Sequence, residues 1–151
     1  MGAEERLKEL GLVLPKSRSS VGSYIRTIRL ENTMYISGTG SRTGDAGVYG
    51  KIGKDVSIEE GYRAAELCGL SVLATIREAL GSLDRVSQIV KVVGFVNAID
   101  GFENQPKVLD GASDLFIKIF EERGRHARSA VGVSSLPFNL SVEIDVIIGC
   151  Y

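Results

Sequence analysis

The strongest constraint on the fold lies in the last quarter of the chain, Arg125 to Gly149, which reads RHARSAVGVSSLPFNLSVEIDVIIG. Two apolar-alternating segments, Ala127 to Val133 and Leu140 to Ile148, flank a turn-like stretch from Ser134 to Asn139. Alternation at period two demands a sheet in which each segment finds a buried face. One charge stands out in each segment, Arg128 in the first and Glu143 in the second. Taking a charge out of water is costly unless it is paired and hydrogen-bonded, so these two are either a structural ion pair or a site.

The upstream chain supplies the rest of such a sheet. Residues 4 to 10 suit one or two helical turns with Leu7 and Leu10 on one side, ended by Gly11, inside an N-terminal extension of residues 1–20. Tyr24 to Leu30 and Thr33 to Ser37 suit a hairpin around Glu31-Asn32. Gly38 to Lys54 is glycine-rich and suits a long irregular loop with a short strand near Val48 and Tyr49. It is not a phosphate loop: no Gly-Lys-Ser/Thr follows at the required spacing, and Gly38-x-Gly40 lacks a third glycine. Ser57 and Glu60 form a capping box ahead of a helical stripe, Ile58, Tyr62, Ala65, Gly69, Val72, Ile76 and Ala79, which ends at Gly81.

Ile89 to Val96 is almost continuously apolar and suits a central strand buried on both faces, with Lys91 as its exception. A second helix follows, with Pro106 in its first turn, Leu109, Leu115, Phe116, Ile119 and Phe120 on its buried side, Gly111 interrupting its first half and Gly124 stopping it. The order β-β-α-β-α-β-β gives an α+β fold, one mixed β-sheet with two helices on one face. The uncovered face is then apolar, and oligomerisation is the natural way to bury it.

Composition narrows the function classes. At 151 residues the chain has the size of a single domain, 1–151, and its net charge of −1 with interspersed signs offers no footprint for nucleic acid or an anionic membrane. Arg123, Arg125 and Arg128 are too few to form one, and Arg125-His126 suits a solvated helix exit. The start, MGAEERLKEL, lacks the basic and apolar regions of a signal peptide, so a cytoplasmic location is expected. Cys68 and Cys150 have no paired spacing and are expected as free thiols. His126 is the only histidine, which rules out histidine-based zinc motifs, and no nucleophile recommends a Ser-His-Asp relay through it.

Three blocks together carry a family likeness: Gly22-Ser23-Tyr24 followed by Tyr35-Ile36-Ser37-Gly38; the helix and strand from Gly61 to Val96; and Ala127-Arg128-Ser129-Ala130-Val131 with Val142-Glu143-Ile144. In these the chain resembles the Rid (YjgF) family of reactive-intermediate deaminases, also known as endoribonuclease L-PSP-like proteins, over nearly all residues after 20, and specifically its divergent chorismate-mutase-like subgroup. The resemblance implies a chorismate-mutase-like fold and a homotrimer with clefts between subunits. Arg128 falls on the family's carboxylate-gripping arginine, Glu143 on its last-strand glutamate, and Tyr24 and Ser37 on its N-terminal tyrosine and its serine before glycine. Thr39 stands where a typical member has Gln, Ala130 where it often has Cys, and the cleft Asn of the family has no single counterpart between Asn104 and Asp114.

The implied activity is hydrolytic deamination of small 2-imino or 2-enamino acids to 2-keto acids and ammonia, with no metal and no cofactor. Arg128 would grip the substrate carboxylate through two parallel N–H bonds, a geometry that Lys cannot copy. Glu143 would pass protons to and from the attacking water, Ser37 would position that water, and Tyr24 and Thr39 would border the substrate. A non-catalytic trimer that binds a small carboxylate in the same cleft is the alternative. An endoribonuclease ranks third, because the sequence has no basic, aromatic-lined track.

Overall fold

The computed structural model describes all residues, 1–151. Its elements run α1 (Ala3–Glu9), β1 (Thr27–Leu30), β2 (Thr33–Gly40), β3 (Arg42–Thr43), β4 (Ala46–Gly47), α2 (Ile58–Leu80), β5 (Val86–Asn97), α3 (Gln105–Phe120), β6 (Ala127–Val133) and β7 (Val142–Cys150). At the start of α2 the Glu60 N–H donates to Ser57 Oγ and the Ser57 N–H donates to Glu60 Oε2, each at 3.1 Å, which satisfies two donors that the first turn leaves free. The helix stops at Gly81, whose φ of 84° is left-handed. Gly111 does not interrupt α3. A Cβ there would lie 1.9 Å from the Tyr62 carbonyl oxygen, so the bare glycine lets α3 run against the α2 backbone. Across the same contact the Tyr62 hydroxyl donates to Asp114 Oδ2 at 2.7 Å. Phe120 ends α3, and a 3-10 turn over Glu121–Gly124 leads out of it.

Five strands form one sheet in the order β1-β2-β7-β5-β6, in which β5 and β6 are parallel and every other pair is antiparallel. The parallel pair follows from α3, which carries the chain back to the start of a neighbouring strand. Both long helices cover one face. Ile89, Val92 and Val96 of β5 and Val142, Ile144, Val146 and Ile148 of β7 point into the core against Val72, Ile76, Leu109 and Phe116. Within the chain β5 is therefore buried on one face, not two. Its other face, with Lys91 on it, joins Ile28, Tyr35, Ile147 and Val131 in an apolar surface that no helix covers.

Other sequence expectations shift locally. The first strand begins at Thr27, leaving Tyr24 and Arg26 in the segment before it. The second runs past Ser37 to Gly40 through a bulge: Ile36 pairs with Val146 and Thr39 with Ile144, so Ser37 and Gly38 together stand opposite Asp145. The glycine-rich stretch contains the small β3–β4 hairpin, and Tyr49 makes an isolated bridge to Leu140. The N-terminal extension is integrated with the core. Leu7 is buried although Leu10 is exposed, Arg6 Nε donates to the Ile119 carbonyl at 2.6 Å, and Glu4 pairs with Arg77.

Candidate functional site

The register decides how Arg128 and Glu143 relate. Arg128 lies opposite Val92, and Val92 opposite Val146, so Arg128 shares the helix-covered face with these buried valines. Glu143 lies opposite Phe95 on the uncovered face. Their strands are not neighbours either, because β5 separates β6 from β7. A structural ion pair between them within one chain is excluded.

Arg128 finds its partners on α3. Its Nη1 donates to Asp110 Oδ1 at 2.8 Å and to Ser113 Oγ at 3.0 Å, and Nη2 donates to the Pro106 carbonyl at 3.3 Å. Ser113 also links to His126, with Oγ and Nε2 2.9 Å apart. The His126 Nδ1–H donates to the Gly124 carbonyl at 2.6 Å, which leaves Nε2 to accept from the serine. Burial lowers the pKa of His126; its bond to Gly124 opposes this and Arg128 reinforces it. His126 is therefore a half-buried, neutral connector and not a solvated exit, whereas Arg125 is exposed and pairs with Glu122. Nothing local in the sequence announces the Asp110–Arg128–Ser113–His126 chain, since its members come from two elements that only the fold brings together.

Glu143 has no hydrogen bond and no ion pair within the chain. Its carboxylate lies over Gly38, close enough that a Cβ on Gly38 would sit 3.0 Å from Oε2. Burial raises the Glu143 pKa, the charge of Asp145 raises it further, and Arg26 opposes both. Asp145, two residues on and on the same face, is raised by burial in turn.

The carboxylate borders a cavity of about 650 Å³ that Tyr24, Thr39, Ser71, Thr75 and Phe138 also line. Thr39 is buried; its hydroxyl donates to the Ser37 carbonyl and accepts from Arg26 Nη2, both at 2.9 Å. Arg26 Nη1 reaches the Gly38 carbonyl at 3.4 Å. Ser37 lies in an adjoining shallow hollow with Tyr24, Tyr35, Ile147 and Glu143, and its hydroxyl donates to the Ile25 carbonyl at 2.6 Å.

Of the five residues singled out from the sequence, the fold gathers Tyr24, Ser37, Thr39 and Glu143 around one bulge in β2 and sets Arg128 apart on β6, the far edge strand of the sheet. Arg26 and Arg42 were missed, as were the cavity-lining Lys16 and Arg18. Arg26 did carry the signal that exposed Arg128 and Glu143: it is a charge inside a segment with strand-like patterning. Cys68 and Cys150 are free and buried, and burial pushes the Cys68 thiol well up. No helix is long and apolar enough to cross a membrane.

A family model described as "YjgF/chorismate_mutase-like, putative endoribonuclease" matches residues 4–147. "Protein TCP17" of Trypanosoma cruzi is 39% identical over 144 residues, 94% of this chain and 90% of its own length. A "2-iminobutanoate/2-iminopropanoate deaminase" of Dermatophagoides farinae is 28% identical over 138 residues, 89% of this chain and 91% of its own. Among solved structures, the protein Atu1372 of Agrobacterium tumefaciens, of unknown function, superposes with a TM-score of 0.89 at 41% identity, covering 98% of this chain and 91% of that one.

Proposed function

The chain belongs to the YjgF/chorismate-mutase-like (Rid) family, and from that premise we propose that it hydrolyses small 2-imino or 2-enamino acids to 2-keto acids and ammonia in clefts shared between the subunits of a homotrimer. The observation that carries this reading is the Glu143 carboxylate, unpartnered in its own chain and raised in pKa by burial at the edge of a cavity. A carboxylate so held is basic enough to take a proton from water and acidic enough to return it. In the proposed reaction the water oxygen bonds to the imine carbon while Glu143 takes its proton. Glu143 returns that proton to nitrogen, which gives the carbinolamine; it then carries the carbinolamine hydroxyl proton to the same nitrogen, the C–N bond breaks, and ammonia leaves as the keto C=O forms. The neighbouring oxygen of Ser37 accepts a hydrogen bond from that water, and Tyr24 and Thr39 border the substrate.

Arg128 cannot reach Glu143 across its own sheet, so the substrate carboxylate is gripped by Arg128 of another copy, which gives up Asp110 in exchange. The uncovered face with Ile28, Tyr35 and Ile147 provides the apolar area that trimer formation would bury. The Dermatophagoides farinae relative, a deaminase by name, supports the chemistry.

Coupling the protein to an amino-acid dehydratase that releases an enamine, and following keto-acid formation, tests the reading. Arg128→Ala and Glu143→Gln should each abolish the acceleration. An equal mixture of the two variants, assembled from unfolded chains, should regain about one quarter of it, the statistical share of clefts with both residues intact. A mixture with no activity would overturn the shared cleft.

One observation favours a second reading, a binding protein without turnover: the Arg128 fork is already engaged by Asp110. Protection from heat by a small carboxylate, with no keto acid formed above the buffer rate, would establish it. RNA cleavage indifferent to Arg128→Ala would displace both in favour of an endoribonuclease.

A further inference from the structure

We propose that the natural ligand of the Glu143 cavity carries two anionic groups, the carboxylate of the reacting end and a second carboxylate or phosphate held by Arg18, Arg26 and Arg42. The inference rests on the deaminase reading only for the identity of the reacting end; the second anion rests on the charges of the wall.

Four cationic side chains line this cavity, Lys16, Arg18, Arg26 and Arg42, against the single acid Glu143. None of the four has an acidic partner within ion-pair distance, and they stand together on one wall. In a chain whose net charge is −1, such a one-sided wall is a local feature and not background. Unmatched like charges repel one another and concentrate their field in a concave, poorly screened space, which an anion relieves.

The geometry of the individual groups agrees. The Nη atoms of Arg26 contact only neutral oxygens, those of Gly38 and Thr39, and its Nε is buried with no hydrogen-bond partner at all. A buried donor left unmade costs about 1–3 kcal/mol. The guanidinium of Arg42 lies 4.2 Å from the centroid of the Phe138 ring, which fixes its plane while leaving its N–H edges free. Planar guanidinium groups are suited to bidentate contacts with carboxylate or phosphate. With Tyr24, Phe138 and Leu140 supplying apolar wall, about 650 Å³ accommodates a small organic acid with charges at both ends.

Calorimetric titration of the intact protein with propionate, succinate and phosphoglycolate tests this. Succinate or phosphoglycolate should bind at least about tenfold more tightly than propionate, and whichever is tighter identifies the second group as carboxylate or phosphate. The Arg18→Gln/Arg42→Gln double variant should bring that ratio below about threefold. Equal binding of the acids by wild type would overturn the proposal, and so would a preference that survives in the folded double variant.

The dehydratase assay, run beside it with an imino acid whose side chain is uncharged, separates the two readings. Normal turnover of that monoanion without any dianion preference sinks this inference alone. Tight dianion binding without turnover of any imine sinks the deaminase reading and leaves this one standing.

Discussion

Arg128 and Glu143 are charges of opposite sign in comparable strands, yet the fold treats them differently. Arg128, on the helix-covered face, is given a carboxylate, a hydroxyl and a carbonyl by α3. Glu143, on the uncovered face, is given none, and the residue beneath it is a glycine that makes room for it. A charge answered within its own chain is part of the packing until something displaces its partner. A half-buried charge left unanswered keeps its binding capacity for a molecule from outside, and its shifted pKa records the unfavourable burial. On this comparison Glu143 is the stronger candidate for the proposed site, and Arg128 is engaged by its own chain.

The largest expected effect comes from deleting the unanswered charge. Glu143→Gln should lower kcat for imine hydrolysis by about 10²–10⁴ with little change in KM, and a KM effect alone would make Glu143 a binding group. Gly38→Ala pushes a methyl against Oε2 and should cost about tenfold or less in kcat, since a small displacement of a proton-transferring group is enough to matter. Unchanged kinetics would mean that the carboxylate position is not critical.

On the answered side, Asp110→Asn removes the competitor for the Arg128 fork. Because that pair is half-exposed, the affinity for propionate should rise only about two- to fivefold, and a fall would show Asp110 helping to hold the arginine in place. Asp145→Asn withdraws a charge that raises the Glu143 pKa, so the acid limb of the kcat profile should move to lower pH. The smallest effect is on stability. The folded chain holds the Glu143 proton more tightly than the unfolded one, so this contribution is full below the unfolded value of about 4.3 and is lost as pH rises through the folded pKa. Glu143→Gln should therefore raise Tm at pH 7, and the gain should close as the pH approaches 4.

The sequence disclosed what is local. The start of α2 could be read from Ser57 and Glu60 and its end from Gly81, because capping groups act within one turn. The stripe of α3 is legible from its own spacing, whereas Gly111 reads locally as a breaker because its packing partner, the Tyr62 backbone, lies on another helix. Sheet order was not legible. β6 and β7 follow each other in the chain, and only the packing of α3 explains why β5 lies between them. The candidate site divides likewise: misplaced charges in apolar segments single out Arg128 and Glu143 as candidates, whereas Asp110 is eighteen residues from its arginine on another element. The segment before β1, with Lys16 and Arg18, became a cavity wall through tertiary contact alone.

The bulge in β2 decides which way Thr39 points. Side chains alternate along a strand, so an extra residue advances the alternation by half a period: Ile36 and Thr39, three apart, both point to the helices. The two ends of β2 thus obey opposite parity. Removing one residue between them would turn Thr39 outward, carrying away the hydroxyl that holds Arg26 and the glycine beneath Glu143, without altering a single functional side chain. The shape of this cavity is written in a residue count, and homologues that differ there in length by one would be expected to differ in chemistry even where their charged residues agree.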